Sequence, residues 1–167
     1  MVLGITGHQR LQKENTWPWV RETLCSVLSQ APPPLIGLSS LAIGADQLFS
    51  ELILAQGGGL HVVLPFPRYR DTFPIGRDLD RYRSLLGSAA SVEVLPALPN
   101  REESYLAAGQ RVVDLSDQVI AVWNGRQAVG LGGTGDIVQY ALANRKDVLQ
   151  IDPELRRLTR FPPRNPK

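Results

Sequence analysis

Apolar and polar positions along this chain follow two rhythms that take turns. Short, mostly apolar runs bounded by Gly, Pro, Ser or Asp have the length and composition of strands: Val2–Thr6, Leu35–Leu38, Leu60–Leu64, Ser91–Leu95, Gln118–Trp123 and Val148–Ile151. Between them lie stretches whose apolar residues recur every three or four positions, which predicts helices over Trp17–Leu28, Asp46–Gln56, Arg77–Leu86, Glu102–Leu115 and Ile137–Asn144. In the first of these, Val20, Leu24, Val27 and Leu28 share one side, Thr16 is placed as an N-cap, and Pro18 fits the first turn. Pro32-Pro33-Pro34 and Gly57-Gly58-Gly59 are stop signals between elements. Arg68–Gly76 has mixed polarity and reads as a loop. Regular alternation of strand and helix predicts an α/β fold: a three-layer, Rossmann-like, doubly wound and mainly parallel sheet with helices on both faces.

Length and composition narrow the picture. The 167 residues suffice for one sizeable core, and 43% hydrophobic with 20% charged residues is ordinary for a globular domain. Residues 1–152 carry the alternating pattern, and 153–167 read as a polar, Pro- and Arg-rich tail on the surface. The formal net charge is +2. Near-neutrality argues against a nucleic-acid partner, because non-specific affinity for DNA rests on phosphate neutralisation. Cys25, the lone cysteine, excludes an internal disulfide and is expected to pack in the core of its helix. With only His8 and His61 and no clustered carboxylates, no metal site is expected, and His61 reads as structural. No apolar run approaches the ~20 residues of a membrane span, and the chain opens on a strand, so a cytoplasmic protein without a membrane partner is expected.

The candidate chemistry sits where strands end. The run Gly130-Leu131-Gly132-Gly133-Thr134-Gly135-Asp136 follows an apolar strand and precedes a helix. Glycines permit positive φ and close approach, and a helix start offers free N–H groups and the positive end of its dipole, so this order suits a phosphate. Thr134 adds a hydroxyl, and Asp136 would either bond a ribose hydroxyl or cap the helix. Ser39-Ser40-Leu41-Ala42-Ile43-Gly44-Ala45-Asp46 is a second loop of this kind, and Gly7-His8-Gln9-Arg10 is a third. In a parallel sheet all three would meet along the edge where open α/β sheets bind ligands. Beyond the third predicted strand, Arg68 and Tyr69 are candidates for a pocket wall, since guanidinium groups fork onto phosphate and aromatic faces stack on bases. Trp123 fits pocket and core equally well.

Taken in order, Ile5-Thr6-Gly7-His8-Gln9-Arg10, Gly44-Ala45-Asp46, Leu64-Pro65-Phe66, Ser116 to Gly125 with its Val119-Ile120-Ala121-Val122-Trp123 core, and Gly132-Gly133-Thr134-Gly135-Asp136 resemble the SLOG superfamily of Rossmann-like nucleotide-binding domains. That group includes the Lonely Guy phosphoribohydrolases, the DNA-processing protein A domain and molybdenum cofactor carriers. The resemblance covers roughly residues 2–152 and rests on the order and spacing of the set. It implies a phosphorylated small-molecule ligand: a nucleotide, an ADP-ribose-type molecule or a pterin phosphate. It places Gly7 and Arg10 at the first loop, Gly44 and Asp46 at the second, and Gly132, Gly133 and Thr134 around the phosphate. The family's habits also favour a homodimer. The Lonely Guy hydrolases carry Pro-Gly-Gly-x-Gly-Thr-x-x-Glu, and aligning Gly133-Thr134 with its Gly-Thr puts Ile137 where the catalytic Glu belongs. Asp136 is the nearest acid, one residue early, and one helical residue turns a side chain by about 100°. Ligand binding or sensing is therefore the leading expectation. The alternatives are a nucleotide N-glycosidase or phosphoribohydrolase, with Asp136 or Asp46 as its acid, and a DNA-associated module.

Overall fold

The structure is a computed structural model and describes residues 1–127 and 131–163. In chain order it contains β1 (Val2–Gly7), α1 (Trp17–Ser29), β2 (Ile36–Ser39), α2 (Ala45–Ala55), β3 (Gly59–Leu64), α3 (Arg77–Gly87), β4 (Ser91–Val94), α4 (Arg101–Leu115), β5 (Gln118–Val122), α5 (Thr134–Ala143), β6 (Asp147–Asp152) and β7 (Arg157–Phe161). The strands form one sheet in the order β4–β3–β2–β1–β5–β6–β7, parallel throughout except for the last pair. β1 lies at the centre, with Leu3 beside Gln118 and Gly7 beside Val122 on one flank and Val2 beside Ile36 on the other.

Side-chain alternation along the strands sorts the core into layers. Leu3 and Ile5 of β1 and Ile120 and Val122 of β5 pack with Val20, Leu24, Phe49 and Ile53 from α1 and α2. On the same face, Leu60, Val62 and Leu64 of β3 meet Leu79, Tyr82 and Leu85 of α3. The intervening residues Val119 and Ala121 face the other way, onto Val113 of α4 and Ile137, Val138 and Ala141 of α5. This is the expected three-layer α/β architecture. The near-continuous apolar character of β5, all five residues of which are buried, follows from being covered on both sides.

Five local readings need correction. The segment after Asp152, expected as a surface tail, turns back and adds the antiparallel edge strand β7, with Leu158 beside Ile151 and Phe161 beside Val148. Its arginines masked the strand pattern, yet an edge strand has to bury only part of itself, and Arg160 is paired to the nearly buried carboxylate of Asp147. α5 begins at Thr134, not Ile137, because Thr, Gly and Asp are poor in helix interiors but acceptable in a first turn. Within Arg68–Gly76 the residues Tyr69–Thr72 form a 3-10 turn, with Arg68 left-handed before it at φ 63°. Cys25 is exposed: it follows Leu24 on α1 and so points away from the Val20–Leu24–Leu28 stripe that faces the sheet. Thr16 precedes α1 but makes no capping bond with its side chain.

No described helix is long and apolar enough to cross a membrane, and no group of three or more His, Cys, Asp or Glu among the described residues is placed to hold a metal ion.

One glycine is indispensable to this arrangement. Gly44, which starts α2, has φ 89°, and a Cβ there would run into the carbonyl oxygens of Gln9 and His8, the latter at 2.6 Å. Gly44→Ala should therefore cost roughly 1–3 kcal/mol, combining left-handed strain with this clash. A urea midpoint equal to that of the wild type would show that the turn is not held as described.

Candidate functional site

A cavity of about 620 Å³ opens at the carboxyl ends of β1 and β5. That position follows from the strand order. The chain leaves β1 toward the α1/α2 face and leaves β5 toward the α4/α5 face, so the two connections diverge and leave the strand ends between them uncovered.

His8 fastens this point. Its N–H donates to the Val122 carbonyl at 3.0 Å, its carbonyl accepts from Ala45 N–H at 3.2 Å, and its Nε2 accepts from Asn124 N–H at 3.3 Å. One residue thus joins the ends of β1 and β5 to the start of α2. Thr6, Gly7, His8 and Gln9 line this side of the cavity.

The β2–α2 loop forms a second side through Ser40, Ala42, Ile43 and Asp46. Asp46 is only 6% exposed. Its Oδ2 accepts from Ser39 Oγ at 3.2 Å and from Ser40 N–H at 3.1 Å. Burial pushes its carboxyl up to about 7, against the opposing pull of the Ser40, Ser39 and Ala42 hydrogen bonds. Asp46 is therefore a carboxyl that changes charge near neutral pH inside the cavity.

The third side is the start of α5. Gly132, Gly133, Thr134 and Gly135 line the cavity, together with Ile137. No side chain at Gly133 caps the helix; Asp136 N–H turns back to the Gly133 carbonyl at 3.0 Å, so the first-turn amides that a helix start leaves without a carbonyl of their own are here those of Thr134 and Gly135. Positive φ falls at Gly132 (82°), where a Cβ would meet Leu106 N at 2.9 Å and Glu102 O at 3.0 Å. Gly133 is extended, at φ −72° and ψ 169°. Asp136 does not line the cavity; its Oδ2 accepts from Gly132 N–H at 2.9 Å and so closes the loop on itself. Gly130, the first residue of the sequence run, lies outside the described residues.

Aromatic side chains form a further side of the cavity. Tyr69, Phe73 and Tyr105 line the cavity, with Tyr69 at the centre: its ring lies 5.1 Å from Phe73 and 6.2 Å from Tyr105, edge to face in both cases. Burial holds the Tyr69 phenol above its ordinary range, so it stays neutral. The last side is the turn after β5, with Trp123, Asn124, Arg126 and Gln127.

Of the residues singled out in the sequence, Gly7, Asp46, Gly132, Gly133, Thr134 and Gly135 come together here. Arg10, Gly44, Arg68 and Asp136 are not among the lining residues. Arg10 is exposed, and Arg68 turns outward to Asp71 at 2.6 Å. Gly44 acts from behind, by letting the β2–α2 loop pass under His8 and Gln9. Arg126 was overlooked: it lies in the short link after β5, and no spacing in the sequence sets it apart from other surface arginines.

No family model and no curated protein matches the chain. Solved structures do. DNA processing protein A from Streptococcus pneumoniae superposes with a TM-score of 0.62 at 17% identity, over 89% of this chain and 49% of that one. The protein of that name from Helicobacter pylori, described for its single-stranded DNA binding mode, gives 0.63 at 17% identity, over 90% of this chain and 64% of that one. The structural-genomics protein TM1055 gives 0.56 at 12% identity, over 88% and 71%. At these identities the likeness is one of fold. The chain spans about half to two-thirds of the two DNA processing proteins it matches.

This comparison corrects the expectation that a nucleic-acid partner is unlikely, since a protein with the same fold binds single-stranded DNA. The error lay in arguing from net charge. A single strand is held by a local groove and by stacking on aromatic side chains, neither of which a sum of charges over the chain reports.

Asp46 generates a pH prediction. Its folded pKa, about 7, exceeds the ordinary 3.8, so the folded protein holds this proton more tightly than the unfolded chain. The group's stabilisation is full below the unfolded value and is lost as pH rises from about 4 through about 7. Asp46→Asn keeps the shape without the charge. The stability difference between variant and wild type should therefore swing toward the variant by a few kcal/mol across that interval and then level off. Melting curves of both proteins from pH 4 to 8 check this; curves that stay parallel would contradict it.

Proposed function

We propose that the cavity at the β1–β5 switch binds the phosphate-bearing part of a nucleotide or nucleotide-derived molecule. The observation that carries this reading is that two unlike surfaces line one space: the uncapped start of α5, and the Tyr69–Phe73–Tyr105 cluster. Backbone amides at a helix start suit an anion, and flat rings suit a base or a pterin. AMP, an ADP-ribose-type molecule and a pterin phosphate share this chemistry. A single DNA strand repeats it along its length.

The test is thermal stabilisation by AMP, ADP-ribose and a short oligothymidylate, in wild type and Gly133→Val. Ligand at 100 times its Kd contributes about 2.7 kcal/mol, which is easily seen as a shift in Tm. The extended backbone of Gly133 accepts a β-branched residue, so the unligated variant should melt as the wild type does. Its side chain would fill the space in front of the α5 amides, and the ligand shift should disappear. Absence of any shift in the wild type would defeat the reading.

A second reading, N-glycosidic cleavage, draws on Asp46, the one Asp or Glu among the described lining residues. Cleavage builds positive charge on the ribose carbon, and a carboxylate stabilises it. Asp46 is poorly suited, because its raised pKa keeps much of it neutral at pH 7. Little or no base release from AMP, GMP or CMP is expected by chromatography. Turnover of about 1 s⁻¹ or more, lost in Asp46→Asn, would favour the enzyme instead.

A further inference from the structure

Arg126 is the one Lys or Arg among the described residues lining the cavity. The turn that carries it is tightly built. Gly125 is left-handed at φ 81°, Asn124 Oδ1 accepts from Arg126 N–H at 3.2 Å, and Trp123 Nε1–H donates to the Arg126 carbonyl at 2.7 Å. Its guanidinium, however, is engaged: Nη2 donates to Glu154 Oε2 at 2.9 Å. Glu154 is held in place from two sides. Asn124 Nδ2 donates to its Oε1 at 2.8 Å, and its own N–H donates to Asp152 Oδ1 at 2.9 Å. Asn124 therefore touches both members of the pair and fixes their register beside the cavity mouth.

A guanidinium meets a carboxylate and a phosphate through the same donors. Glu154 does not itself line the cavity, and the pair is half in water, with side-chain exposures of 63% for Arg126 and 32% for Glu154. An ion pair so exposed is weak, within reach of a ligand that offers a doubly charged phosphate in its place. We infer that Arg126 is the residue that meets the ligand's phosphate charge, and that Glu154 is its built-in competitor, which holds the guanidinium until an anion takes it. This rests on the phosphate-binding reading and adds to it the residue that sets affinity. In the empty protein, Glu154 offsets the one fixed cationic charge of the lining and lowers affinity for weak anions. A ligand whose phosphate also reaches the α5 amides overcomes that competition, so the pair favours ligands that engage both.

The test is calorimetric titration of the full chain with ADP-ribose and with inorganic pyrophosphate at about 0.15 M salt. Glu154→Gln keeps the acceptor for Asn124 and removes the charge; Kd for both probes should fall about two- to five-fold, the scale of an exposed ion pair. Arg126→Ala should raise Kd about ten-fold or more, as loss of a charged hydrogen bond does. In the Arg126→Ala background, Glu154→Gln should give a clearly smaller gain, because the guanidinium for which Glu154 competes is gone and only through-space charge, weakened by screening at this salt, is left. Wild-type binding with an unchanged or weakened Glu154→Gln protein would overturn the competition and leave the phosphate site standing. A gain of equal size in both backgrounds would also overturn it, since the effect would then be through-space charge. Failure of wild type and Glu154→Gln alike to bind either probe would overturn both the competition and the phosphate site.

Discussion

The structure depends on the divergence of the chain at the ends of β1 and β5. Neighbouring parallel strands whose connections leave toward opposite faces cannot cover their own carboxyl ends, so a parallel sheet with this order necessarily carries a crevice there. Everything specific to the site is a response to that gap. His8 ties its two rims to each other and to α2 through backbone and imidazole hydrogen bonds. Gly7, at the tip of β1, has no room for a side chain: a Cβ would lie 2.5 Å from Ala45 Cβ and 2.9 Å from Val122 Cβ. Close approach at Gly7 and left-handed turning at Gly44 bring α2 hard against the crevice, and with it the buried carboxyl of Asp46.

How much of this was legible in the sequence follows from what each residue does. The strands and helices of the core were visible because a buried parallel strand must be apolar on both sides, and a helix packed on one face must repeat its apolar residues every three or four positions. β7 was hidden because its pairing is satisfied at an edge, where arginines are tolerated on the open side. The glycine loops were visible as composition, but their division of labour was not. Gly132 supplies the left-handed turn and the close approach to α4, whereas Gly133 is extended. The aromatic wall was half visible: Tyr69 stood close to the end of β3, but Tyr105 comes from α4, and only the fold brings these rings together. Arg126 was invisible because its significance is entirely one of position.

Charge shows the same separation between sum and place. A formal charge of +2 describes the whole chain and says nothing of where the cations stand. Several described arginines are committed elsewhere: Arg68 and Arg70 to Asp71, Arg81 to Glu51, Arg111 to Glu93. Among the described residues the cavity is left with one guanidinium, a carboxyl that burial holds partly neutral, and a set of backbone dipoles. Such a site discriminates by geometry more than by field strength, because amides and hydroxyls are directional where a cluster of lysines is not.

That balance bears on why hydrolysis is the weaker reading. A catalytic carboxylate must be charged while positive charge grows on the sugar, which calls for a solvated or cation-paired acid near the reacting carbon. Here the acid that reaches the cavity is buried without a cation partner, and the acid at the start of α5 is turned back onto Gly132 N–H. At the helical position that faces the cavity stands Ile137, whose side chain also fills the space left by Gly109 of α4, where a Cβ would come 2.8 Å from its Cγ1. The α4–α5 contact is therefore built around an apolar residue at this position. Ile137→Glu alone would bring a charge against α4, and accommodating it would require the helix pair to repack.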